Sequence, residues 1–267
     1  MLNPRWKKAV AGVAAALMLC PTAVRAATVE VDGVPLSGEE GWGHGGTSYV
    51  TLRALSSHGD YELSWDGEKA TLSGEGIEPT AVPGRPYIEV NGRVLYVAEG
   101  VGVLDGCTYL PLRIVADATG GALFWDAERA TAGLELEGAR APEADYDEEG
   151  LYWLSRIISA ESRGEPLVGQ IAVGNVVLNR VAHRNYPDTI RDVVFDDNHG
   201  VQFEPVSNGT VFDEPTQFAV LAAKMALEGA EVVKDCIYFY APALSPGTWI
   251  NRYAEYLTTI GCHRFYR

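Results

Sequence analysis

This chain is short of cysteine, of positive charge and of long apolar runs, and each shortage excludes something. Four cysteines occur in 267 residues. None stands in a CxxC pair, and no group of His and Cys has the spacing of a zinc site. Lys and Arg number 21 against 36 Asp and Glu, a formal charge of −15. A chain of that sign repels nucleic acid and anionic membrane surfaces and offers neither a basic patch. The apolar run from Ala9 to Cys20 is well short of the roughly 20 residues that span a bilayer. Arg5, Lys7 and Lys8 precede it and Val24-Arg25-Ala26 follows, so residues 1–26 read as a secretory signal rather than an anchor. Without Arg5, Lys7, Lys8 and Arg25, 17 basic residues face 36 acidic ones and the charge becomes −19. The mature chain is then expected to be secreted, with no transmembrane segment.

An extracellular setting permits a disulfide. Cys236 and Cys262 each precede an aromatic strand candidate, IYFY and HRFY. Two readings stand: the strands pair and the two sulfurs meet, leaving Cys107 free, or all three are small buried thiols.

Present in quantity are hydrophobic residues, 47%, with 10% aromatics, which suits about two packed domains. The first holds an internal repeat. Tyr49, Leu52, Arg53, Trp65, Asp66 and Ala70 recur sixty positions later as Tyr109, Leu112, Arg113, Trp125, Asp126 and Ala130. VEVDGVPL precedes one copy and IEVNGRVL the other, and Asp32-Gly33 and Asn91-Gly92 are type I′ hairpin dipeptides. Each unit reads as hairpin, short helix, hairpin, the helices ending at Gly59 and Gly120. Trp65 and Trp125 are read as core aromatics of the repeat, with sugar stacking the functional alternative.

The repeat, carried by LPLR (Leu110 to Arg113) followed by WD, resembles the copper amine oxidase N-terminal domain, a stalk-type module common in secreted Gram-positive proteins. The resemblance covers residues 28–137. It does not bring copper with it, since the segment holds only His44 and His58, without the spacing of a copper centre.

From 138 to 149 the sequence is acidic, with Ala and Pro and little periodicity, and reads as a linker. The pattern beyond it, residues 150–267, is mainly helical. One helix is predicted from about Asp147 to Glu161, a second from Pro166 to Ala182, and a third capped by Asp213, with Phe218, Leu221, Ala222 and Met225 on one face and Gly229 at its end. Between the last two lies a loop of roughly Asn185 to Glu214, long for a compact domain and so expected to carry function or little order. Short strands close the chain.

Leu151, Leu154 and Ile158 share one face of the first helix, and a further step of three reaches Glu161. An acid on an apolar stripe is desolvated, and its pKa rises toward the range a general acid needs at neutral pH. Glu161 is the catalytic candidate; the alternative is a structural carboxylate at a helix end. Gly164 and Pro166 interrupt the helix, so Glu165 lies at the start of the next one, where the macrodipole favours a structural acid.

SAESRGEP (Ser159 to Pro166), GQIAVGNVVLNRV, PVSNGT, IYFYAP and IGCHRFY follow one another in the order found in the SleB and CwlJ cell wall hydrolases of spore-forming bacteria, which residues 150–267 resemble. The resemblance implies an α+β protein: a repeat-built β-rich N-terminal module, then a mainly helical lysozyme-like catalytic domain with a small β-sheet. It implies cleavage of peptidoglycan glycan strands, spore cortex among them, with Glu161, the glutamate of the AE pair, as the catalytic residue. Glycosidases generally use two carboxylates, but a lytic transglycosylase needs one, since the C6 hydroxyl of the cleaved muramic residue attacks its own anomeric carbon and leaves a 1,6-anhydro product. That is the expected route, without metal or cofactor. Alternatives are a hydrolytic muramidase drawing a second carboxylate from Asp196, Asp197 or Glu204, and a non-catalytic wall-binding protein.

Substrate-binding candidates follow from position. Asn175 and Asn179, four apart on the second helix, present amides either to sugar N-acetyl groups or to the neighbouring loop. Asn208-Gly209 makes a turn in the long loop. Tyr238 and Tyr240 share one face of a strand while Phe239 enters the core, and Trp249 is a further stacking platform. His263 is read as structural.

Overall fold

The computed structural model describes residues 28–198 and 202–267, so the predicted secretory signal lies outside the described residues. The first repeat unit comprises β1 (Thr28–Val31), β2 (Val34–Pro35), β3 (Gly41–His44), β4 (Thr47–Thr51), α1 (Leu52–His58), β5 (Glu62–Trp65) and β6 (Ala70–Ser73). After β7 (Thr80–Ala81), the second unit repeats the order as β8 (Tyr87–Val90), β9 (Arg93–Tyr96), β10 (Gly102–Leu104), β11 (Cys107–Pro111), α2 (Leu112–Thr119), β12 (Ala122–Asp126) and β13 (Thr131–Glu135).

Asp32-Gly33 and Asn91-Gly92 turn as expected, all four residues at positive φ. Gly45-Gly46 and Asp105-Gly106, which are sixty apart, do the same and add a hairpin to each unit. The units join through their central strands: β4 and β11 run antiparallel with Tyr109 opposite Thr51, Leu110 opposite Val50 and Pro111 opposite Tyr49. Exchanging the units leaves that register unchanged, so a local two-fold passes between Val50 and Leu110. The outer sheets run β12-β13-β1-β2 and β5-β6-β7-β8-β9. One apolar core, with Val29, Val50, Leu55, Leu110 and Leu134 fully or almost fully buried, serves both units. Trp65 and Trp125 are outside it, 56% and 58% exposed. The expectation of core aromatics is corrected: Leu63 and Leu123 pack against the core, whereas Trp65 and Trp125, two residues further along the same strand faces, lie beyond its edge.

No helix or strand covers the stretch between β13 and Asp147, as a linker reading expects, but it is strapped down: Ala144 N–H donates to Asn91 O at 3.3 Å and Tyr146 O–H to Glu228 Oε1 at 2.8 Å. The C-terminal part comprises α3 (Glu148–Ser162), α4 (Leu167–Ala182), α5 (Ile190–Val194), α6 (Glu204–Asn208), a 3-10 turn (Thr210–Phe212), α7 (Gln217–Leu227), β14 (Tyr238–Tyr240), α8 (Ile250–Tyr253), β15 (Tyr256–Ile260) and β16 (His263–Tyr266). The architecture is α+β, β-rich first and mainly helical after. Asp147 caps α3 by accepting from Gly150 N–H at 2.7 Å. Helices α3, α4 and α7 pack against one another through Leu154, Ile157 and Ile158, Ile171, Val173 and Val177, and Ala222, Ala223 and Met225. Their close approach depends on Gly174, where a Cβ would stand 2.9 Å from Ile158 Cδ1 and 3.3 Å from Ala226 Cβ.

Two expectations fail here. Helix α7 is capped by Thr216 rather than Asp213, and Phe218 is 59% exposed; Ala219, Ala222, Ala223, Met225 and Ala226 form its buried face. Small residues let α7 sit close to α3 and α4, where Phe218 would not fit. The disulfide is also absent: Cys236 is a buried free thiol and Cys262 an exposed one. Strands β14 and β16 do pair, but antiparallel, with Tyr238 opposite Tyr266 and Tyr240 opposite Arg264. Two residues that each precede their strand therefore lie at opposite ends of the ladder. The long loop is neither bare nor formless, since α5, α6 and the 3-10 turn all lie within it. Among the described residues no helix is long and apolar enough to cross a membrane.

Candidate active site

Glu161 lies in the last turn of α3, one helical repeat beyond Ile157 and Ile158, which are fully buried. The helix ends just after it because Gly164 and Pro166 follow. Glu161 is only partly exposed, and its carboxylate makes no hydrogen bond to any described residue. Burial pushes its pKa up from 4.5 to about 7; the negative charge of Glu204 pushes the same way and the positive charge of Arg180 opposes. Half protonated near neutrality and without a competing partner, this carboxyl is able to give a proton and take one back.

Arg180, in the last turn of α4, is 4% exposed. Its Nε donates to Ile237 O at 2.8 Å, while one terminal nitrogen is buried with no partner. The guanidinium lies 5.0 Å from the ring centre of Phe203, 5.2 Å from Tyr186 and 5.9 Å from Tyr238. It forms one wall of a cleft of about 690 Å³ that His183, Tyr186, Gln202, Tyr238 and Trp249 also line. Glu161 is not itself a wall of this cleft; it is tied to it through the charge of Arg180. Burial and a hydroxyl contact with Tyr238 push Tyr186 up to about 12, so its phenol stays neutral. Asp196, 7% exposed, accepts from Asn198 Nδ2 at 2.8 Å, and Glu204 at the start of α6 is exposed.

The other expected residues are spread out. Tyr238 lines the cleft, with Trp249, 54% exposed, edge-on to it at 5.4 Å. Tyr240, on the same face, is tied down: Asn251 Nδ2 donates to its hydroxyl at 2.8 Å and its ring covers Gly247. Asn175 and Asn179 take the loop-bridging role instead of facing a sugar. Asn175 Nδ2 donates to Ala230 O at 2.7 Å and its Oδ1 accepts from Val232 N–H at 2.8 Å; Asn179 Nδ2 donates to Cys236 O at 2.9 Å. Both amides peg the segment after α7 onto α4, and Asn175, 4% exposed, is closed to any ligand. Asn208 is exposed and accepts from Thr210 N–H at 2.9 Å, with Gly209 at φ 84° making the turn between α6 and the 3-10 segment. Glu165 accepts from Cys262 N–H at 2.8 Å, pinning the β15–β16 turn to the start of α4. His263 is buried edge-on to Phe239. Among the described residues no group of His, Cys, Asp and Glu is arranged to hold a metal.

Sequence reasoning missed Arg180, His183, Tyr186 and Gln202. For Arg180 a signal existed: Val173, Val176 and Val177 lead to it by the same steps of three and four that lead Leu154, Ile157 and Ile158 to Glu161.

Comparison with known proteins matches two separate stretches of the chain. Residues 31–133 match the copper amine oxidase N-terminal domain and residues 164–266 the family described as Cell Wall Hydrolase, a stretch that opens three positions after Glu161. A spore cortex-lytic enzyme of Bacillus cereus is 30% identical over 129 residues, 48% of this chain and 48% of that one. One from Halalkalibacterium halodurans is 30% identical over 130 residues, 49% of this chain and 38% of the other. The chain thus spans about half, or less, of the length of these curated relatives. The catalytic domain of the germination-specific lytic transglycosylase SleB from Bacillus anthracis aligns at 28% identity over 47% of this chain and 100% of its own, with a TM-score of 0.43. The C-terminal stretch is thus similar to the cell wall hydrolases and the stretch ahead of it to the copper amine oxidase N-terminal domain.

Proposed function

We propose that this protein cleaves the glycan strands of peptidoglycan as a lytic transglycosylase, with residues 150–267 as the catalytic domain, 28–137 as a separate module and 138–149 as the link between them. The observation that carries the reading is Glu161: a carboxyl held near pKa 7 by burial, free of hydrogen-bond partners among the described residues, beside an aromatic cleft. Protonated Glu161 gives its proton to the glycosidic oxygen as the C1–O bond breaks. The resulting carboxylate takes the proton of the C6 hydroxyl, whose oxygen bonds to C1 and closes the 1,6-anhydro ring. Atoms balance without water or an enzyme nucleophile, and Glu161 ends as it began. Arg180 stabilises the intermediate carboxylate through its charge, a term that is strong in a partly desolvated site. Tyr238 and Trp249 offer ring faces to the sugars.

The substrate is taken to be spore cortex or a related wall, outside the cell, in keeping with what the spore cortex-lytic relatives are named for. A hydrolytic route is the second reading, favoured by one observation: Glu204 is near enough to raise the pKa of Glu161 and is the loop acid available as a second carboxylate. Mass spectrometry of products from cortex and from vegetative sacculi decides, because anhydro and reducing ends differ by one water. Anhydromuropeptides from the wild type and none from Glu161→Gln are expected. Normal product from that variant removes the mechanism, and no soluble sugar from the wild type leaves a wall-binding protein.

A further inference from the structure

The N-terminal module carries the same unused feature twice. Trp65 and Trp125, more than half exposed, each stand beside an arginine from the start of their own unit's helix and face a hairpin turn of the other unit. Trp125 and Arg113 face Gly46 to Ser48 across a pocket of about 490 Å³. Trp65 and Arg53 face Gly106 to Thr108 across one of about 110 Å³. The indole, the arginine and the three turn residues correspond at the sixty-position offset, and the second pocket is the smaller.

The β4–β11 register explains the pairing. Val50 and Leu110 lie opposite each other and both point into the core, so the local two-fold is normal to that sheet. Rotation about such an axis keeps a site on its own side of the sheet. The two pockets therefore open at one level, each built jointly by both units.

An indole exposed to this degree is a large apolar face left in water, which folded domains keep for contact with something else. The arginines are equally uncommitted. Arg53 and Arg113 are exposed and neither guanidinium makes an ion pair or hydrogen bond among the described residues, although Arg113 acts on Asp117 through space. In a chain with 36 acidic residues against 21 basic ones, two guanidinium groups without a bonded carboxylate, each next to an exposed tryptophan, suit a ligand with both an apolar ring face and a negative charge.

We propose that the twin pockets bind the peptide-bearing glycan strand of peptidoglycan, the indole stacking on a pyranose ring and the guanidinium taking a carboxylate of the stem peptide. The identity of the ligand rests on the function proposed for the C-terminal domain; the pockets themselves do not. Two equivalent contacts on one module hold an insoluble, repeating polymer more tightly than either alone, because the second contact forms at high effective concentration.

The test uses the full chain carrying Glu161→Gln, so that nothing is cleaved, in co-sedimentation with sacculi stripped of teichoic acid by hydrofluoric acid. Trp65→Ala or Trp125→Ala is expected to weaken retention about three- to tenfold, the double variant more than tenfold, and Arg53→Gln with Arg113→Gln by a similar factor that shrinks as salt rises. Circular dichroism and melting temperature should not move, since the side chains are exposed. Wild-type retention by the folded double variant overturns the proposal. So does an unchanged retention accompanied by a shift in sedimentation coefficient, which would make the pockets a contact between copies. Cleavage of short soluble muropeptides, measured separately in the active chain, keeps the two ideas apart: lost retention with no turnover by the wild type sinks the enzymatic reading alone, and full turnover with retention indifferent to the tryptophans sinks this one alone.

Discussion

Replacing Glu161 by Gln should make the protein more stable while silencing it, and the size of the gain depends on pH. In the unfolded chain the carboxyl titrates near 4.5, and in the folded one near 7. Between those values the folded state holds the proton more firmly than the unfolded state, so stability falls as pH rises through that window and the whole cost is present above about pH 7. At about 1.4 kcal/mol per pH unit, the cost reaches about 3 kcal/mol. Glutamine fills the same space and does not ionise. Urea unfolding of both proteins should therefore give equal stabilities at pH 4 and a lead of about 2 to 3 kcal/mol for the variant at pH 8.5. Cleavage of sacculi by the variant should be absent at every pH. A stability difference that does not vary with pH would mean that Glu161 is not desolvated in solution, and the assignment of the general acid would fall with it.

The neighbours of Glu161 should move its titration in opposite directions. Glu204→Gln removes a negative charge, lowers the pKa of Glu161 and shifts the basic limb of the pH–rate profile to lower pH, while Arg180→Met shifts it to higher pH and slows turnover about tenfold or more; limbs moving together would refute the electrostatic account. The two parts of the chain are coupled through Arg93, whose Nε and Nη2 donate to Glu228 at 3.1 and 2.6 Å, with Tyr146 O–H on the same carboxylate. Glu228→Ala leaves that largely buried guanidinium unpaired and should lower stability by about 2 to 4 kcal/mol in urea unfolding, with the β-rich and helical parts then melting apart. Gly261, at φ 56°, lies where a Cβ would strike the Glu165 carboxylate that accepts from Cys262 N–H. Gly261→Ala should cost about 1 to 2 kcal/mol, whereas Gly164→Ala, with open space around it, should be near neutral.

What sequence reasoning recovers here is what local chemistry decides. The Asx-Gly turns, the ends of α3 and α4, and the placement of an acid on an apolar helix face all depend on residues within one or two turns of one another. It fails where a distant partner chooses. The cysteine pairing depends on strand direction, which IYFY and HRFY do not encode. Asn175 and Asn179 share one side of α4, but the segment after α7 claims their amides, and nothing near them in the chain announces it. Trp65 and Trp125 occupy repeat positions that suggest a core and share a strand face with Leu63 and Leu123, but they stand beyond the core's edge. Arg180 belongs with the recoverable features: it ends the apolar stripe of α4 as Glu161 ends that of α3, and its charge acts on the Glu161 carboxyl. A charge that breaks a buried stripe is costly unless another such charge meets it or a ligand does. Two packed helices whose buried stripes end in opposite charges, each near enough to shift the other's titration, therefore mark a site from their own sequences.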